Sequence, residues 1–285
     1  MALAGRPNVG KSTLANAIVG SKVTIASPRP QTTRRAIRAV ATGDDWQLVL
    51  VDLPGVQRPR DELTERMQRG VERALTECDA ALLLLSGVER AGPGDRFLAA
   101  AIAATGVPAA IAVNKFDLLD RPHQARALSE AAELDLPAAE VFPLSARTGE
   151  GMDELVSHLR AMLPEGPFLY EQHQHSDVPR EALLAELIRE QALSRTIREV
   201  PHSIGVIVEE IQDGELTTVT AQIWVETESQ KRILVGAGGR MVKAIGTAAR
   251  LELERELGTR VHLDLSVRVR RRWRADASLL DRLGL

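Results

Sequence analysis

Gly5-Arg6-Pro7-Asn8-Val9-Gly10-Lys11-Ser12 decides how this chain folds. It fits the spacing G-x-x-x-x-G-K-S/T, and helix formers run from Thr13 to Ile18 directly behind it. A loop of this kind, set between a strand and a helix, presents backbone N–H groups to phosphate. Its glycines let the chain wrap closely, and the helix start leaves its first amides unpaired. Lys11 can neutralise the outer phosphates, and the Ser12 hydroxyl is a hard oxygen donor suited to Mg2+. Only four residues precede Gly5, whereas the central strand that feeds such a loop needs about five or six. Apolar residues upstream are therefore expected to complete it.

Outward from the loop, apolar runs alternate with helical patterns as far as about residue 163. Gln47 to Val51, Ala80 to Leu85, Ala109 to Val113 and Val141 to Leu144 read as buried strands separated by helices, which implies a parallel sheet covered on both faces. Three further motifs sit at strand ends. Asp52-Leu53-Pro54-Gly55 places a carboxylate where it can support Mg2+ and a glycine N–H where a γ-phosphate can be sensed. In Asn114-Lys115-Phe116-Asp117, the Asp117 carboxylate can accept from the N1–H and exocyclic amine of guanine, a donor pair adenine lacks, and Lys115 can lay its stem along the base. Ser145-Ala146 can offer backbone N–H to the guanine O6. An ATPase or kinase conflicts with this base-reading motif.

At 285 residues the chain is long enough for two domains, and 44% hydrophobic against 26% charged residues fits a soluble globular protein. No apolar run reaches membrane-spanning length and no secretory leader is legible, so a cytoplasmic protein is expected. The single cysteine, Cys78, excludes an intrachain disulfide and reads as a buried helix residue. Leu163-Pro164-Glu165-Gly166-Pro167 breaks the alternation, and the polar stretch Tyr170 to Asp177 reads as linker, with His173 and His175 solvated. The domains are therefore placed at residues 1–165 and 179–285, with 166–178 between them.

Past the linker, a helical stripe (Leu183, Leu184, Leu187, Ile188, Ala192) precedes two strands, Ser203 to Ile211 and Leu216 to Val225. An apolar, strand-like stretch then leads into Gly236-Ala237-Gly238-Gly239, a helix runs from about Arg240 to Leu257, and the alternation from Val261 to Val269 marks a last strand. The order helix, two strands, glycine turn, long helix, strand is that of a type II KH domain, which clamps single-stranded RNA by its backbone. Eight aromatics in the whole chain are too few for a base-stacking sheet of the RRM kind. Charge agrees, because residues 231–285 carry 13 Lys+Arg against 6 Asp+Glu while residues 1–230 carry 23 against 33. Arg240, Lys243, Arg270 and Arg272 are the candidate phosphate contacts, the last two on one face of the final strand with Arg268, with Arg271, Trp273 and Arg274 adjoining. A charged edge strand that discourages aggregation is the competing explanation.

The four nucleotide motifs in this order resemble those of translation-factor-type GTPases, and the two-domain plan resembles the Era family across nearly the whole chain. The resemblance rests on Gly5 to Leu14, Pro30 to Arg34, Asp52 to Gly55, Ile188-Arg189-Glu190, Val200-Pro201-His202-Ser203 and Val235 to Gly246. It implies an α/β P-loop GTPase domain, with a mostly parallel sheet and helices on both faces, followed by an α+β type II KH domain. It implies GTP and GDP as ligands with Mg2+, and a catalytic set of Lys11, Thr33 and Gly55, where Thr33 with Ser12 and Asp52 serves the metal and Thr32 competes for that role. Val56 stands where small signalling GTPases carry a water-orienting Gln, so slow intrinsic hydrolysis is expected. Asn8 resembles the asparagine that ligates K+ in potassium-stimulated relatives, against a plain loop-capping role. The implied partners are the 3′ region of small-subunit ribosomal RNA and the pre-30S or 30S particle. Ribosome assembly, a monomer, and peripheral attachment at the inner face of the cell membrane follow from the same resemblance. A second reading is a ribosome-independent signalling or membrane GTPase whose C-terminal domain binds protein.

Overall fold

The computed structural model describes residues 1–25, 32–55, 59–196 and 203–285. It divides into two compact units, one comprising Met1–Pro59 and Thr64–Asp177, the other Arg60–Leu63 and Val178–Leu285.

In the first unit, strands β1 (Ala2–Ala4), β2 (Ile37–Thr42), β3 (Gln47–Asp52), β4 (Ala81–Ser86), β5 (Ala109–Asn114) and β6 (Glu140–Pro143) form one sheet in the order β2-β3-β1-β4-β5-β6. All neighbours run parallel except β2, which pairs antiparallel to β3. Side chains alternate strictly between the two faces, as the two-residue period of a strand requires. Leu82 and Leu84 pack with Leu14 of helix α1 (Lys11–Val19) and with Leu155 and Leu159 of helix α5 (Met152–Ala161). Ala81, Leu83 and Leu85 face the opposite way. There they meet Val71 and Leu75 of α2 (Glu62–Glu77), Leu98 and Ile102 of α3 (Pro93–Thr105), and Ala127 and Ala131 of α4 (Arg121–Ala132). A parallel sheet covered on both sides must be apolar on both, which is why its strands read as unbroken hydrophobic runs.

Two expectations in this unit need correction. Tyr170 to Asp177 is not a free linker: it straps the β2 side of the sheet. Val40 N donates to His175 O at 2.8 Å, Ala39 bridges Ser176, and Arg38 pairs with Asp177 at 2.8 Å. Gln47 further holds Leu169 and Tyr170, accepting from their N–H groups at 2.8 and 3.0 Å. An edge strand with open ladder groups attracts such a cover, and periodicity does not encode it. Cys78 lies just past the end of α2 and is half-buried, with burial pushing its thiol pKa up.

The second unit is built on helix α6 (Arg180–Arg195) and strands β7 (Gly205–Gln212), β8 (Leu216–Val225) and β9 (Arg260–Val269) in the order β7-β8-β9. β7 and β8 are antiparallel, and β8 and β9 run parallel in register from Leu216↔Arg260 to Val225↔Val269. The stretch before the glycine turn is not a strand but helix α7 (Glu228–Val235). Thr227 accepts from Gln230 N at 3.2 Å while Gln230 Oε1 accepts from Thr227 N at 3.1 Å, a reciprocal cap that starts a helix where the apolar run alone reads as extended. Helix α8 (Arg240–Leu257) follows, and a short helix α9 (Ala277–Arg282) ends the chain.

Candidate functional site

Every nucleotide motif lies at the carboxyl end of a strand of the first sheet: the loop after β1, Asp52 ending β3, Asn114 ending β5 and Ser145 after β6. That edge is where open α/β sheets bind ligands, because strand ends and helix starts converge there. Helix α1 begins at Gly10 without a side-chain cap, leaving its first amides available to an anion. Gly10 has φ 105, and a Cβ there would lie 2.3 Å from Asn114 Nδ2. Gly5 approaches the Leu84 carbonyl and Gly55 approaches Pro7 so closely that a Cβ would sit 2.5 and 2.8 Å from them. The spacing of glycines therefore records close packing between the loop and its neighbours as well as phosphate access.

Lys11 is buried, and its Nζ donates to the loop carbonyls of Gly5 and Arg6, both at 2.9 Å. Burial lowers its pKa from 10.5 to about 8, opposed by the charge of Asp52. Asp52 is fully buried, and burial pushes its carboxyl up against the opposing pull of Lys11 and of three hydroxyls. Its Oδ2 accepts from Ser12 Oγ at 2.8 Å, Thr24 Oγ1 at 3.1 Å and Thr33 Oγ1 at 3.5 Å, and Ser12 and Thr33 hydroxyls lie 3.0 Å apart. Asp52 Oδ1 is buried with no hydrogen-bond partner among the described residues. Hard oxygens gathered around an unsatisfied carboxylate fit a magnesium ion. The Thr33 hydroxyl reaches this cluster, and Thr32 beside it is buried as well. Thr24 was not legible as a member. Asn16 of α1 puts it there by accepting from Val23 N and Thr24 N at 2.9 and 3.1 Å.

At the base-reading side, one side chain laces three motifs. Asn114 Nδ2 donates to Val9 O at 2.9 Å, while its Oδ1 accepts from Lys115 N at 2.8 Å and Ala146 N at 3.0 Å. The Ala146 N–H assigned to guanine O6 is thus shared with Asn114 in this structure. Lys115, at φ 64, reaches back so that Nζ donates to Asn8 O at 2.7 Å. Asp117 is hydrogen-bonded by Ser145 and paired with Arg147, and these in that order hold its carboxyl below the usual carboxylate range. Arg6 turns its side chain away from the loop, onto buried Asp95 at 2.9 Å. Pro7 packs against Gly55, Leu53 and Pro54 are buried, and Thr13 lies in the first turn of α1. Asn8 is exposed at φ 64, so the potassium reading rests on resemblance alone. Val56, Pro30, Gln31 and 200–202 lie outside the described residues.

In the second unit, Gly236 (φ 72, ψ 173), Gly238 (φ 60) and Gly239 (φ 77) turn the chain between α7 and α8, with Ala237 opening a single 3-10 turn. Beside α8 and along β9 runs a groove of ≈ 370 Å³ lined by Val242, Lys243, Gly246, Thr247 and Arg250 from the helix and His262 to Leu265 from the strand. Lys243 lines this groove, and Arg240, which opens α8, donates from Nε to Ala237 O at 3.2 Å.

Residues 1–115 match the family described as a 50S ribosome-binding GTPase, and residues 199–274 match the KH domain. GTPase Era of Mycobacterium sp. (strain KMS) is 44% identical over 286 residues, covering 98% of this chain and 96% of that protein. GTPase Era of Mycobacterium tuberculosis is 44% identical over 290 residues, covering 99% and 96%. The chain belongs to the Era family of GTPases. Two solved Era structures each superpose with a TM-score of 0.95 at 34% identity, covering 99% of this chain and 97% of theirs. One is an Aquifex aeolicus Era bound to GDP and AlF4−; the other is Era with MgGDPNP and nucleotides 1506–1542 of 16S ribosomal RNA.

The basic run that follows β9 does not continue as a strand beyond Val269. Arg272 is not on β9: it follows the strand at φ 53, in the left-handed region. Arg270 N still donates to Val225 O at 2.7 Å, but its guanidinium lies over Trp224, 5.6 Å from the ring centroid. Trp273 is fully buried, with Nε1 donating to Ser203 O at 3.0 Å, and Arg274 is paired with Glu226 at 2.9 Å. Arg270 and Arg272 therefore do not line the groove, whereas Arg250 and His262 do. The spacing of Lys243, Thr247 and Arg250 on one helical face was the available signal for Arg250. Gly239 has open space where a Cβ would go, whereas at Gly236 it would meet Met241 at 2.8 Å. Room is therefore withheld by the protein itself only at Gly236.

Proposed function

We propose that this Era-family protein binds GTP and GDP with Mg2+, hydrolyses GTP slowly, and binds the 3′ region of small-subunit ribosomal RNA through the α8–β9 groove, serving assembly of the small subunit. The observation that carries the nucleotide reading is the gathering of Ser12, Thr33 and Asp52 oxygens beside buried Lys11, with Asp52 Oδ1 left unsatisfied. Ser12 and Thr33 would hold the metal directly, and Asp52 would hold it through Ser12 or a bound water. The Gly55 backbone lies beside the phosphate loop, and its N–H would sense the γ-phosphate. Lys11 and the loop amides of Gly5 to Thr13 would take the phosphates, and Asn114, Lys115, Asp117, Ser145 and Ala146 the base.

Support for the RNA comes from the solved relative carrying 16S nucleotides, matched over 99% of this chain. The family description naming the 50S subunit spans only residues 1–115, so it does not bear on what the second unit binds. Gly236 to Gly239 would approach the sugar-phosphate backbone, and Lys243, Arg240 and Arg250 would supply charge. Arg270 and Arg272 lie apart and would contribute at longer range. A cytoplasmic location fits GTP and ribosomal RNA as ligands. No helix among the described residues is long and apolar enough to cross a membrane, and peripheral attachment at the inner face rests on resemblance.

The test is fluorescence anisotropy with an RNA matching the 3′ end of 16S ribosomal RNA at several salt concentrations. Lys243→Ala should weaken binding and reduce the salt slope by about 0.7 per lost phosphate contact on a single strand. Unchanged RNA affinity in a Lys243→Ala, Arg250→Ala double variant, with salt-insensitive capture of a protein instead, would establish the protein-binding alternative.

A further inference from the structure

We propose that Arg147 is a positioning residue that sets nucleotide affinity and exchange, by holding the Asp117 carboxylate whenever no base occupies the site. The inference rests on the guanine reading of Asp117. Arg147 Nη2 reaches Asp117 Oδ2, one of the two oxygens that would accept from guanine. The two side chains differ in a way that assigns their roles: Asp117 is 11% exposed and Arg147 71% exposed. Arg147 is the charged partner of this half-buried carboxylate, and without it Asp117 keeps only the neutral Ser145 hydrogen bond. An exposed arginine is free to swing, so it can supply a partner in the empty site and yield it to the base.

The arm moves from a fixed base. Ala146 N is held by Asn114 Oδ1, Gly149 N donates to Ser145 O at 2.9 Å, and Thr148 N donates to Ser145 Oγ at 3.2 Å, so the backbone on either side of Arg147 is pinned. The other cation of the region does not substitute for it, because Lys115 Nζ is turned onto Asn8 O. Beside the Ser145 hydrogen bond, two further donors therefore compete for this carboxylate: the Arg147 guanidinium and the guanine edge. Competition of this kind stabilises the nucleotide-free state and leaves the complex without the pair, which loosens binding and speeds departure of the base.

The experiment is stopped-flow measurement of a fluorescent GDP analogue on the full chain. Arg147→Ala should bind GDP about two- to fivefold more tightly, the range of a partly exposed ion pair, with the change carried in a slower dissociation rate. Arg147→Lys should stay near the parent, since it keeps the charge. In an Asp117→Asn background, read with xanthosine diphosphate, Arg147→Ala should change nothing, because the ion pair is already gone. A general effect on folding would persist there. Unchanged or weaker GDP binding in Arg147→Ala, or an equal effect in both backgrounds, overturns the proposal. If the parent protein binds ADP as well as GDP, it is the guanine reading beneath it that fails.

Discussion

Asn114→Ala probes the joint on which the nucleotide site hangs. The side chain is buried and makes three hydrogen bonds, to the Val9 carbonyl and from the Lys115 and Ala146 amides, at 2.9, 2.8 and 3.0 Å. Truncation strands all three backbone groups, each at a cost of about 1 to 3 kcal/mol. Water entering the small space left behind recovers part of this, so the net loss is about 3 to 5 kcal/mol. At 2 to 4 °C per kcal/mol for a unit of this size, the melting transition that responds to GDP should fall by about 6 to 20 °C. GDP affinity should fall with it, since Val9 belongs to the phosphate loop and Ala146 to the base side. Asn114→Asp sharpens the test. It keeps the Oδ1 acceptor for the two amides but sets an anionic oxygen against the Val9 carbonyl. Only the protonated carboxyl can donate there, so the Asp variant should regain stability as pH falls and lose it as pH rises. A melting shift under about 2 °C in Asn114→Ala, with GDP affinity within twofold of the parent, would refute the claim that this side chain binds the motifs together.

Asp117→Asn should shift preference from guanine toward xanthine nucleotides, losing about 1 to 3 kcal/mol or more for GDP; competition binding in which GDP keeps its advantage would contradict the assignment. Lys11, whose pKa burial lowers to about 8, must be protonated beside phosphate. GDP affinity should therefore be flat below pH 8 and fall as pH rises above it, with proton uptake on binding at pH 8.5 in calorimetry across buffers of different ionisation enthalpy; release instead of uptake would be wrong for this picture. In the second unit, Gly236→Ala forces a Cβ against Met241 at φ 72, ψ 173, whereas Gly239→Ala meets only left-handed strain at φ 77. The first should melt well below the second, whose cost is about 1 to 2 kcal/mol, and equal melting temperatures would refute the steric argument.

Residue order alone determined most of the architecture, because its signals are local. A buried parallel strand has to be apolar on both faces, so β3, β4 and β5 stand out as runs, and the 3.6-residue period marks α6 and α8. A phosphate loop has to place glycines, Lys11 and Ser12 at set spacings, and the acceptor for guanine has to be a carboxylate, so Asp117 was legible without coordinates. β2, by contrast, is an edge strand identified only by what pairs with it, and α7 reads as extended until its reciprocal cap is seen. The strap at Tyr170 to Asp177 is polar and aperiodic, and only the open edge it covers explains it.

The tertiary structure decided how these pieces touch. Thr24 joins Asp52 because Asn16, eight residues earlier, folds the chain back, and a lone threonine carries no mark of that. Arg147 meets Asp117 across 30 residues of sequence, and Asn114 meets Val9 across 105. Arg272 looked like a strand residue because alternation extends past Val269, but the chain leaves the ladder there to bury Trp273. Local spacing dictates which chemical groups a chain brings to a sheet edge, since each strand and helix obeys its own period. Which of those groups then compete for the same oxygen is a matter of packing between distant segments, and no period in the sequence records it.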